Sequence, residues 1–320
     1  METGGETVCV TGAGGFLAAW LVKLLLQRGY NVLGTVRDPG DPKNAHLKNL
    51  EGAKEGLKLL KADLLDYDSI LAAIDGCTGV FHTACPVPSH RVANPEVEMV
   101  NPAVKGTSNV LKACSVAKVK RVIMTSSLAA VYENPNRPKD KLIDESCWSD
   151  PEYCKETQAW YFLSKTVSEQ EAWHYSKESG LDLVTLCPSL ILGPMLQPTI
   201  NASSQILIKL MTGNIDTCEN QVRNMIDVRD CAKAHLLAYE TPAAGRYLCT
   251  AHTSRTKELV DILHRLYPQY NYPKDFVDVD ASGLERISNS KIQDMGLEFR
   301  KLEETLVDTV ECLQKRGILK

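Results

Sequence analysis

The chain has 320 residues and a mass of 35.3 kDa, which is enough to bury a large hydrophobic core. Its hydrophobic fraction of 44% and charged fraction of 24% are ordinary for a globular protein, and its net charge of −4 argues against nucleic acid or an anionic membrane as a partner. The first residues lack the basic and apolar regions of a secretory signal, and no apolar run is long enough to span a membrane, which predicts a cytoplasmic protein.

The eleven cysteines are scattered singly, without a C-x-x-C pair or a metal-like cluster of cysteine and histidine. In a cytoplasmic protein such cysteines are usually reduced and buried as small apolar residues. The sequence therefore predicts no metal site.

Predicted strands and helices alternate along the first 190 residues. The strands are predicted at 8–10, 31–36, 57–62, 79–84, 121–125 and 181–186, and the helices at 16–28, 66–74, 96–117 and 156–178. Such alternation is typical of βαβ units and a mainly parallel sheet. Beyond residue 190 we predict helices at 203–213, 256–266 and 302–315, a helix ending near 239 and a strand at 246–249. We therefore expect an α/β fold: a Rossmann-type, doubly wound parallel sheet (1–190, with return segments near 225–250) and a smaller, interleaved C-terminal substrate-binding cap (191–320).

A glycine-rich turn follows the first predicted strand and precedes the first predicted helix. Glycine permits positive φ and close backbone approach, and the N-terminus of a helix attracts phosphate. We expect Gly12 to form the turn, Gly15 to leave space for a pyrophosphate and Ala18 to let the helix pack closely on the strand. The predicted dinucleotide site at this turn comprises Gly12, Gly14, Gly15, Phe16 and Leu17.

The end of the second predicted strand bears on the choice of cofactor. An acidic residue there usually accepts a hydrogen bond from the ribose 2′-hydroxyl of NAD, whereas arginine suits the 2′-phosphate of NADP. Arg37 lies at this end, and Lys43 follows on the loop. The alternatives are that Asp38 binds the 2′-hydroxyl, or that Arg37 and Asp38 form an exposed ion pair.

In an open α/β sheet, ligands bind at the carboxyl ends of the strands. Asp63 lies at such an end, where we expect it to face the adenine; the alternative is that it caps the helix predicted at 66–74. His82 lies within an apolar strand and is interpreted as a buried core histidine. The further expected cofactor contacts are Asp63, Leu64, Thr83, Ala84 and Pro188.

Tyr161 and Lys165 are spaced to project from one face of the predicted helix at 156–178. An ammonium ion beside a phenol favours the phenolate, and this makes the tyrosine a better general acid toward a carbonyl oxygen. Ser127, after the fifth predicted strand, is placed to hold the same oxygen through its hydroxyl. The alternative for Tyr161 and Lys165 is a surface pair on an amphipathic helix.

Taken together, the glycine turn, the serine after the fifth strand and Tyr-x-x-x-Lys on the next helix resemble the extended short-chain dehydrogenases/reductases. The resemblance covers nearly the whole chain and is greatest to the plant cinnamoyl-CoA reductase and dihydroflavonol reductase group. The matching stretches are 35–39, 81–84, 124–127, 160–166, 187–189 and 193–194. The resemblance implies that Ser127, Tyr161 and Lys165 form a catalytic triad, that Lys165 also holds the nicotinamide ribose, and that the cofactor is NADPH/NADP+.

Two features bear on the substrate within this group. Tyr132 stands where dihydroflavonol reductases usually carry an asparagine that contacts the flavonoid and where cinnamoyl-CoA reductases usually carry a tyrosine. The catalytic helix reads Ala-Trp-Tyr-Phe-Leu-Ser-Lys at 159–165, and it lacks the Asn-Trp-Tyr-Cys-Tyr-Gly-Lys signature of the cinnamoyl-CoA reductases. The chain resembles instead the cinnamoyl-CoA reductase-like branch, whose members reduce aldehydes such as cinnamaldehydes and phenylacetaldehyde.

The expected activity is NADPH-dependent reduction of a phenylpropanoid-type carbonyl, either a cinnamoyl-CoA thioester or a cinnamaldehyde-type aromatic aldehyde. The alternatives are reduction of a dihydroflavonol-type ketone, a non-catalytic NADPH sensor, and an epimerase or dehydratase of nucleotide sugars. Apart from this small-molecule substrate, no nucleic acid, membrane or obligate protein partner is expected. The side chains of the predicted pocket are mostly apolar and small, which suits a flat aromatic substrate. The pocket comprises Cys85, Pro86, Val87, Leu128, Tyr132, Ser189, Leu190 and Met195.

Overall fold

The structure is a computed structural model that describes residues 5–85, 93–138, 140–213, 216–279, 284 and 286–320. Its strands are β1 Thr7–Thr11, β2 Asn31–Val36, β3 Leu57–Lys61, β4 Gly79–His82, β5 Arg121–Thr125, β6 Leu183–Pro188, β7 Leu190–Leu192, β8 Thr217–Asn220, β9 Val222–Asp227, β10 Gly245–Cys249, β11 His252–Arg255 and β12 Asp275–Asp278. Its α-helices are α1 Phe16–Gln27, α2 Ala45–Lys48, α3 Ala53–Gly56, α4 Tyr67–Ile74, α5 Asn101–Val116, α6 Pro151–Glu156, α7 Trp160–Ser179, α8 Ala202–Met211, α9 Val228–Glu240, α10 Thr256–Leu266, α11 Ser290–Asp294 and α12 Leu302–Lys315. None of the helices in the described ranges has the length and hydrophobicity needed to span a lipid bilayer.

The large sheet is parallel, with its seven strands in the order β10-β6-β5-β4-β1-β2-β3. The order reverses between β1 and β4, so the loops that follow these two strands diverge and open a crevice. This confirms the predicted Rossmann-type, doubly wound sheet.

Both faces of the sheet are covered by helices. α1 packs against α9 on one face, and α4, α5 and α7 lie side by side on the other. Successive residues of a strand point to opposite faces. Accordingly, Val8 and Val10 of β1 belong to the core under α1, whereas Cys9 belongs to the core under α5.

The C-terminal part of the chain forms two smaller sheets, β11-β9-β7 and β12-β8. A separate hydrophobic core holds this cap together, with Leu192, Met211, Leu259 and Leu306 among its buried members. However, α9 packs on α1, and β10 pairs with β6 in the large sheet. The C-terminal part of the chain therefore returns to the large sheet, and its division into a Rossmann domain and a substrate-binding cap stays a prediction.

The helix predicted at 156–178 begins later than expected, and a separate short helix that was not predicted, α6, precedes it. α6 ends at Glu156, and the longer α7 begins only at Trp160. Gln158, between them, has a φ of +58°, a left-handed conformation that ends an α-helix. Such a position is usually glycine, and for this reason the sequence did not reveal the break.

The predicted helix at 96–117 also begins differently. Its first turn, Glu96–Val100, has the wide hydrogen bonding of a π-helix, and regular α5 follows from Asn101. Pro102 at the start of α5 has no N–H to donate, and a proline there is tolerated only because the helix is beginning anew.

Two predicted strands differ in their bounds. β4 ends at His82 and not at Ala84, because the next residues turn toward β1 and bond to Thr11. β6 runs over Leu183–Pro188 instead of 181–186, and its register with β10 carries the pairing through to Pro188.

Candidate active site

A cavity of about 670 Å³ lies where the strands of the large sheet end, at the crevice between β1 and β4. This is the place where an open α/β sheet binds its ligand. Nine of the predicted cofactor residues line the cavity: Gly12, Gly14, Gly15, Arg37, Lys43, Asp63, Leu64, Thr83 and Ala84.

The turn after β1 needs glycine at two crowded positions. Gly12 has a φ of +66°, and a Cβ atom there would lie 2.9 Å from the Cβ of Ala84. A Cβ atom on Gly14 would lie 2.6 Å from Oδ1 of Asn44. The turn therefore presents bare backbone to the cavity, which is a cradle that fits a pyrophosphate.

Threonine hydroxyls hold this turn against the neighbouring strands. The N–H of Gly12 donates to Oγ1 of Thr35, and the N–H of Ala84 donates to Oγ1 of Thr11, both at 3.1 Å. The hydroxyl of Thr83 donates to the Thr11 carbonyl at 2.5 Å. These bonds join the ends of β1, β2 and β4 into one rigid rim.

Helix α1 begins at the cavity with Gly15 as its N-cap. Gly15 offers no side-chain cap, so the first N–H groups of the helix are left for a ligand. Leu17 is buried in the core and Phe16 packs against that core, so neither side chain lines the cavity. Their predicted contact with a dinucleotide is therefore one through backbone N–H groups.

Two cations lie at the β2 side of the cavity. Arg37 is exposed there, and its guanidinium forms no salt bridge with any residue that the structure describes. Lys43 pairs with Asp41 at 2.7 Å. Asp38 does not line the cavity, and it accepts a hydrogen bond from the N–H of Gly40 at 2.8 Å. The arrangement favours a 2′-phosphate as the group that Arg37 meets.

Asp63 lies on the cavity wall after β3, where its carboxylate accepts a hydrogen bond from the N–H of Leu65 at 2.9 Å. The alternative, that Asp63 caps the next helix, is wrong, because Asp66 is the N-cap of α4 and accepts from the N–H of Ser69. A contact between Asp63 and the adenine stays a prediction.

Part of the cavity wall was not predicted from the sequence. Gln197, Pro198 and Thr199 reach it from the segment after β7, and Asn44 reaches it from the turn before α2. The arginine at the end of α12, Arg316, fixes that segment by donating to the carbonyl of Gln197. The remaining unpredicted lining residues are Thr35, Val36, Ala62, Leu65 and Ile70.

Tyr161 and Lys165 lie one turn apart at the beginning of α7. Tyr161 is 40% exposed, whereas Lys165 is only 8% exposed. The ammonium of Lys165 donates to the Thr125 carbonyl at 3.4 Å and interacts electrostatically with Cys85. Since Cys85 also lines the cavity, Lys165 lies where the dinucleotide cavity meets Tyr161.

The ionisation of Lys165 depends on its neighbours. Burial lowers the pKa of Lys165, but the electrostatic interactions with Cys85, Tyr161 and Glu169 outweigh burial and hold that pKa above its ordinary value. Lys165 is therefore an ammonium ion at neutral pH. A buried ammonium one helix turn from a phenol is the arrangement that a tyrosine general acid requires.

Ser127 lies directly after β5 and begins the short turn Leu128–Ala130. Its Oγ accepts a hydrogen bond from the N–H of Ala129 at 3.1 Å, which leaves the hydroxyl hydrogen free to donate to a substrate oxygen. Helix α7 packs on this turn. Ser127, Tyr161 and Lys165 are thus carried by two elements in direct contact, and their catalytic roles stay a prediction.

The predicted substrate residues occupy more than one place. Leu128 and Tyr132 pack in one hydrophobic cluster, beside the turn that carries Ser127. Leu190 and Met195 belong to the core of the cap. Their joint contribution to one pocket stays a prediction.

The other predicted contacts lie around these clusters. Ser189 donates to the Cys249 carbonyl, with its N–H at 3.0 Å and its hydroxyl at 3.2 Å. Pro188 is buried at the end of β6 and is not among the residues that line the cavity. Pro86 and Val87 lie outside the described residues.

Two buried histidines make the stability of this region sensitive to acid. His82 is hydrogen-bonded to Thr11, and Nε2 of His235 accepts from Thr125 while its Nδ1 donates to the Cys231 carbonyl. Burial lowers the pKa of His82 to about 3, with the charge of Lys165 adding to the effect, and lowers that of His235 to about 4.

Between these values and the ordinary pKa of about 6.5, the unfolded chain binds protons that the native protein does not. Stability is therefore complete above pH 6.5 and is lost as the pH falls. We expect His235 to account for about 2 kcal/mol of the loss in unfolding free energy between pH 7.5 and 5. Urea unfolding at both pH values should show a smaller loss for His235→Asn than for the wild type. His174→Asn, at an exposed position, is the control, and equal losses for His235→Asn and the wild type would contradict the prediction.

The chain is similar in sequence to known proteins. The profile of the NAD dependent epimerase/dehydratase family matches residues 8–280. Cinnamoyl-CoA reductase 1 from Petunia hybrida is 52% identical over 318 residues, which are 98% of this chain and 94% of that protein.

Solved structures extend the similarity to three dimensions. Vestitone reductase from alfalfa superposes with a TM-score of 0.82 at 34% identity, covering 98% of this chain and 99% of its own. Yeast methylglyoxal/isovaleraldehyde reductase, solved in complex with NADPH, gives a TM-score of 0.84 at 26% identity, covering 98% of this chain and 100% of its own. The chain therefore belongs to the NAD dependent epimerase/dehydratase family, as a relative of the plant cinnamoyl-CoA reductases.

Proposed function

We propose that the protein is an NADPH-dependent reductase of phenylpropanoid-type carbonyls, acting on cinnamoyl-CoA thioesters, cinnamaldehyde-type aldehydes or both. The observation that carries the proposal is the position of Lys165, which is buried one helix turn from the exposed Tyr161 and donates to the carbonyl of Thr125 at the end of β5. Lys165 also interacts electrostatically with Cys85, which lines the dinucleotide cavity. The similarity to cinnamoyl-CoA reductase 1 and the NADPH complex of the yeast reductase support the substrate class and the cofactor.

The residues fit the cofactor along the whole cavity. The turn at Gly12 and Gly14 and the uncapped start of α1 suit the pyrophosphate, and Arg37 suits the 2′-phosphate. Bound NADPH supplies the hydride that reduces the carbonyl carbon. Tyr161 donates the proton to the carbonyl oxygen, Ser127 holds that oxygen by a hydrogen bond, and the Lys165 ammonium stabilises the phenolate that remains.

The surroundings of Tyr161 suit an aromatic substrate. The ring of Phe162 lies 5.5 Å from that of Tyr132 and 6.2 Å from that of Tyr161, in both cases nearly perpendicular. Edge-to-face rings of this kind form a stable apolar wall. This wall offers an apolar surface to a flat phenylpropanoid, and Tyr161, the proposed proton donor, directly precedes Phe162 in the chain.

A reducing compartment such as the cytoplasm is part of the proposal, since all eleven cysteines are free thiols and seven are buried. Burial raises the pKa of Cys154 to about 11, with Glu133 and Asp150 adding to the effect, so this thiol stays protonated and unreactive. The proposed activity needs no partner other than its small-molecule substrate.

The test of the proposal is NADPH oxidation measured side by side with coniferaldehyde, feruloyl-CoA, phenylacetaldehyde and a dihydroflavonol. We expect turnover with the aldehyde, the thioester or both, at a kcat/KM at least about tenfold above that with the dihydroflavonol. The ratio between coniferaldehyde and feruloyl-CoA decides whether the protein is mainly an aldehyde or a thioester reductase.

A preference for the dihydroflavonol would contradict the substrate class. Tight NADPH binding without turnover of any of the four compounds would favour a non-catalytic sensor. Tyr132→Asn is an informative companion variant, because it introduces the residue usual in dihydroflavonol reductases at a position that contacts Phe162.

A further inference from the structure

A buried carboxylate lies directly beneath the catalytic residues. Glu169 of α7 has no exposed surface and follows Lys165 by one helix turn. One carboxylate oxygen accepts from the hydroxyl of Ser126 at 2.6 Å, and the other accepts from the hydroxyl of Thr185 at 2.6 Å. A charge buried so completely needs a counterion.

The counterion comes from the edge strand β10. Arg246 donates to both carboxylate oxygens of Glu169, at 2.8 and 3.1 Å, and it is itself buried. Its remaining nitrogen donates to the carbonyls of Glu145 and Cys147, and its guanidinium lies 3.6 Å from the centre of the Trp148 ring. Arg246 thus ties α7 to the loop at 144–148.

This network surrounds the catalytic serine. The loop continues to Ser149, whose hydroxyl donates to the Ala129 carbonyl in the turn that Ser127 begins. On the other side, the residue before Ser127 is Ser126, which is bonded to Glu169. Glu169 and Arg246 therefore hold both sides of the Ser127 segment.

Glu169 lies on the same helix as the proposed proton donor, Tyr161. Tyr161, Lys165 and Glu169 recur every four residues, so they lie along one face of α7. Lys165 bonds to the end of β5 at Thr125, and Glu169 bonds one residue further on. Burial lowers the pKa of Lys165, and Cys85 and Tyr161 raise it. The carboxylate of Glu169 also raises this pKa, by a smaller amount.

We infer that Glu169 and Arg246 are positioning residues whose balanced charges set the pH range over which Tyr161 donates its proton. This inference rests on the proposed function. The pair touches neither the cavity nor the space before Tyr161; it acts through the Lys165 ammonium and through the segment that holds Ser127.

Other titratable groups in this region are accounted for. Burial raises the pKa of Cys187 and lowers that of His82, so both are neutral at the pH of the reaction. Two exposed ion pairs also lie on or next to α7, His174 with Glu178 on the helix itself and Lys155 of α6 with Glu96. Among the residues that the structure describes, the titratable or charged groups that face Glu169, Lys165 or Tyr161 are Cys187 of β6, Arg246 of β10, His82 of β4, Cys85 after β4, and Tyr132 after β5.

The test uses the charge of each partner separately. Glu169→Gln leaves a buried positive charge, which favours the phenolate, so the alkaline limb of the kcat profile should move to lower pH. Arg246→Gln leaves a buried negative charge and should move the limb to higher pH. Glu169 lies two helix turns, or roughly 10 Å, from Tyr161 along α7, and Arg246 is bonded to Glu169. At this distance, each unbalanced charge should displace the limb by about one pH unit.

The double variant Glu169→Gln with Arg246→Gln restores neutrality, and its limb should return to within about 0.3 unit of the wild type. Arg246→Lys keeps the positive charge but loses the two-point hydrogen bonding to the Glu169 carboxylate. Its kcat should therefore fall, while the alkaline limb of its pH profile stays in place. Glu178→Gln is the matched control on the same helix, because that side chain is 66% exposed and should leave the limb unchanged. Far-UV circular dichroism establishes that each variant is folded.

A second readout does not depend on turnover. The second readout is an NMR titration of protein labelled with 13C at the tyrosine Cζ, in which the Tyr161 signal is identified by its loss in Tyr161→Phe. The midpoint of this titration should move along the pH axis in each variant in the same direction and by the same amount as the alkaline limb of kcat. If Glu169→Gln does not fold, Arg246→Gln compared with Arg246→Lys gives the same test. Falls in kcat without any displacement of the limb or the signal would show that the pair is merely structural and would overturn the inference. Absence of turnover in the wild type with an intact NMR titration would instead count against the proposed function alone.

Discussion

The Tyr161→Phe variant is expected to lose about three orders of magnitude in kcat while its affinity for NADPH stays within about twofold of the wild type. The hydroxyl of Tyr161 is the proposed proton donor, and the side chain is 40% exposed. Among the residues that the structure describes, none forms a hydrogen bond with this hydroxyl, so its removal should leave the fold intact. The ring and its contact with Phe162 are kept in the variant.

The measurement is kcat at saturating NADPH and substrate, together with the Kd of NADPH from nucleotide fluorescence. Tyr175→Phe is the matched control, since it removes a hydroxyl from the same helix in the hydrophobic cluster under α5, away from Lys165. We expect this control to turn over like the wild type. A kcat of Tyr161→Phe within tenfold of the wild type would sink the assignment of the general acid.

The Arg37→Ala variant is expected to raise the Kd of NADPH by about 30- to 300-fold and to change the Kd of NADH by less than about threefold. Arg37 is exposed on the cavity rim without a salt bridge to a described residue, so its guanidinium is available for a 2′-phosphate. NADH lacks that phosphate and loses nothing when the guanidinium is removed. The preference for NADPH should therefore nearly disappear.

Lys43→Ala is the comparison for Arg37→Ala. Lys43 also lines the cavity, but its ammonium is already paired with Asp41, so we expect a loss in NADPH affinity of only a few fold. Titration of each variant with both nucleotides gives the four ratios needed. An equal loss of affinity for NADPH and NADH in Arg37→Ala would mean that Arg37 supports the loop and does not read the phosphate.

Much of this site could be predicted from the sequence because its signals are local. A glycine turn between a strand and a helix places Gly12 and Gly14 at the sheet crevice, and a spacing of four puts Tyr161 and Lys165 on one helix face. The strand-end rule found Asp63, Thr83 and Ala84, which all line the cavity. These predictions needed only the order of strands and helices.

The features that were missed depend on contacts between distant parts of the chain. Gln197 and its two neighbours reach the cavity only because the cap is interleaved with the large sheet and Arg316 holds their segment. Gln158 ends a helix in a conformation that its residue type does not suggest. The pair of Glu169 and Arg246 joins residues 77 positions apart, and nothing local marks either as a partner of the other.

The central claim is that this chain carries hydride from NADPH to an aromatic carbonyl with protonation by Tyr161. It is tested most directly by incubating the wild type and coniferaldehyde with NADPH deuterated at C4 and analysing the product by mass spectrometry. We predict an alcohol with one deuterium on its carbinol carbon from one of the two C4 epimers, and none there when unlabelled NADPH is used in D2O. Carbinol deuterium derived from solvent, or no reduction of coniferaldehyde or feruloyl-CoA by protein that binds NADPH, would contradict the claim.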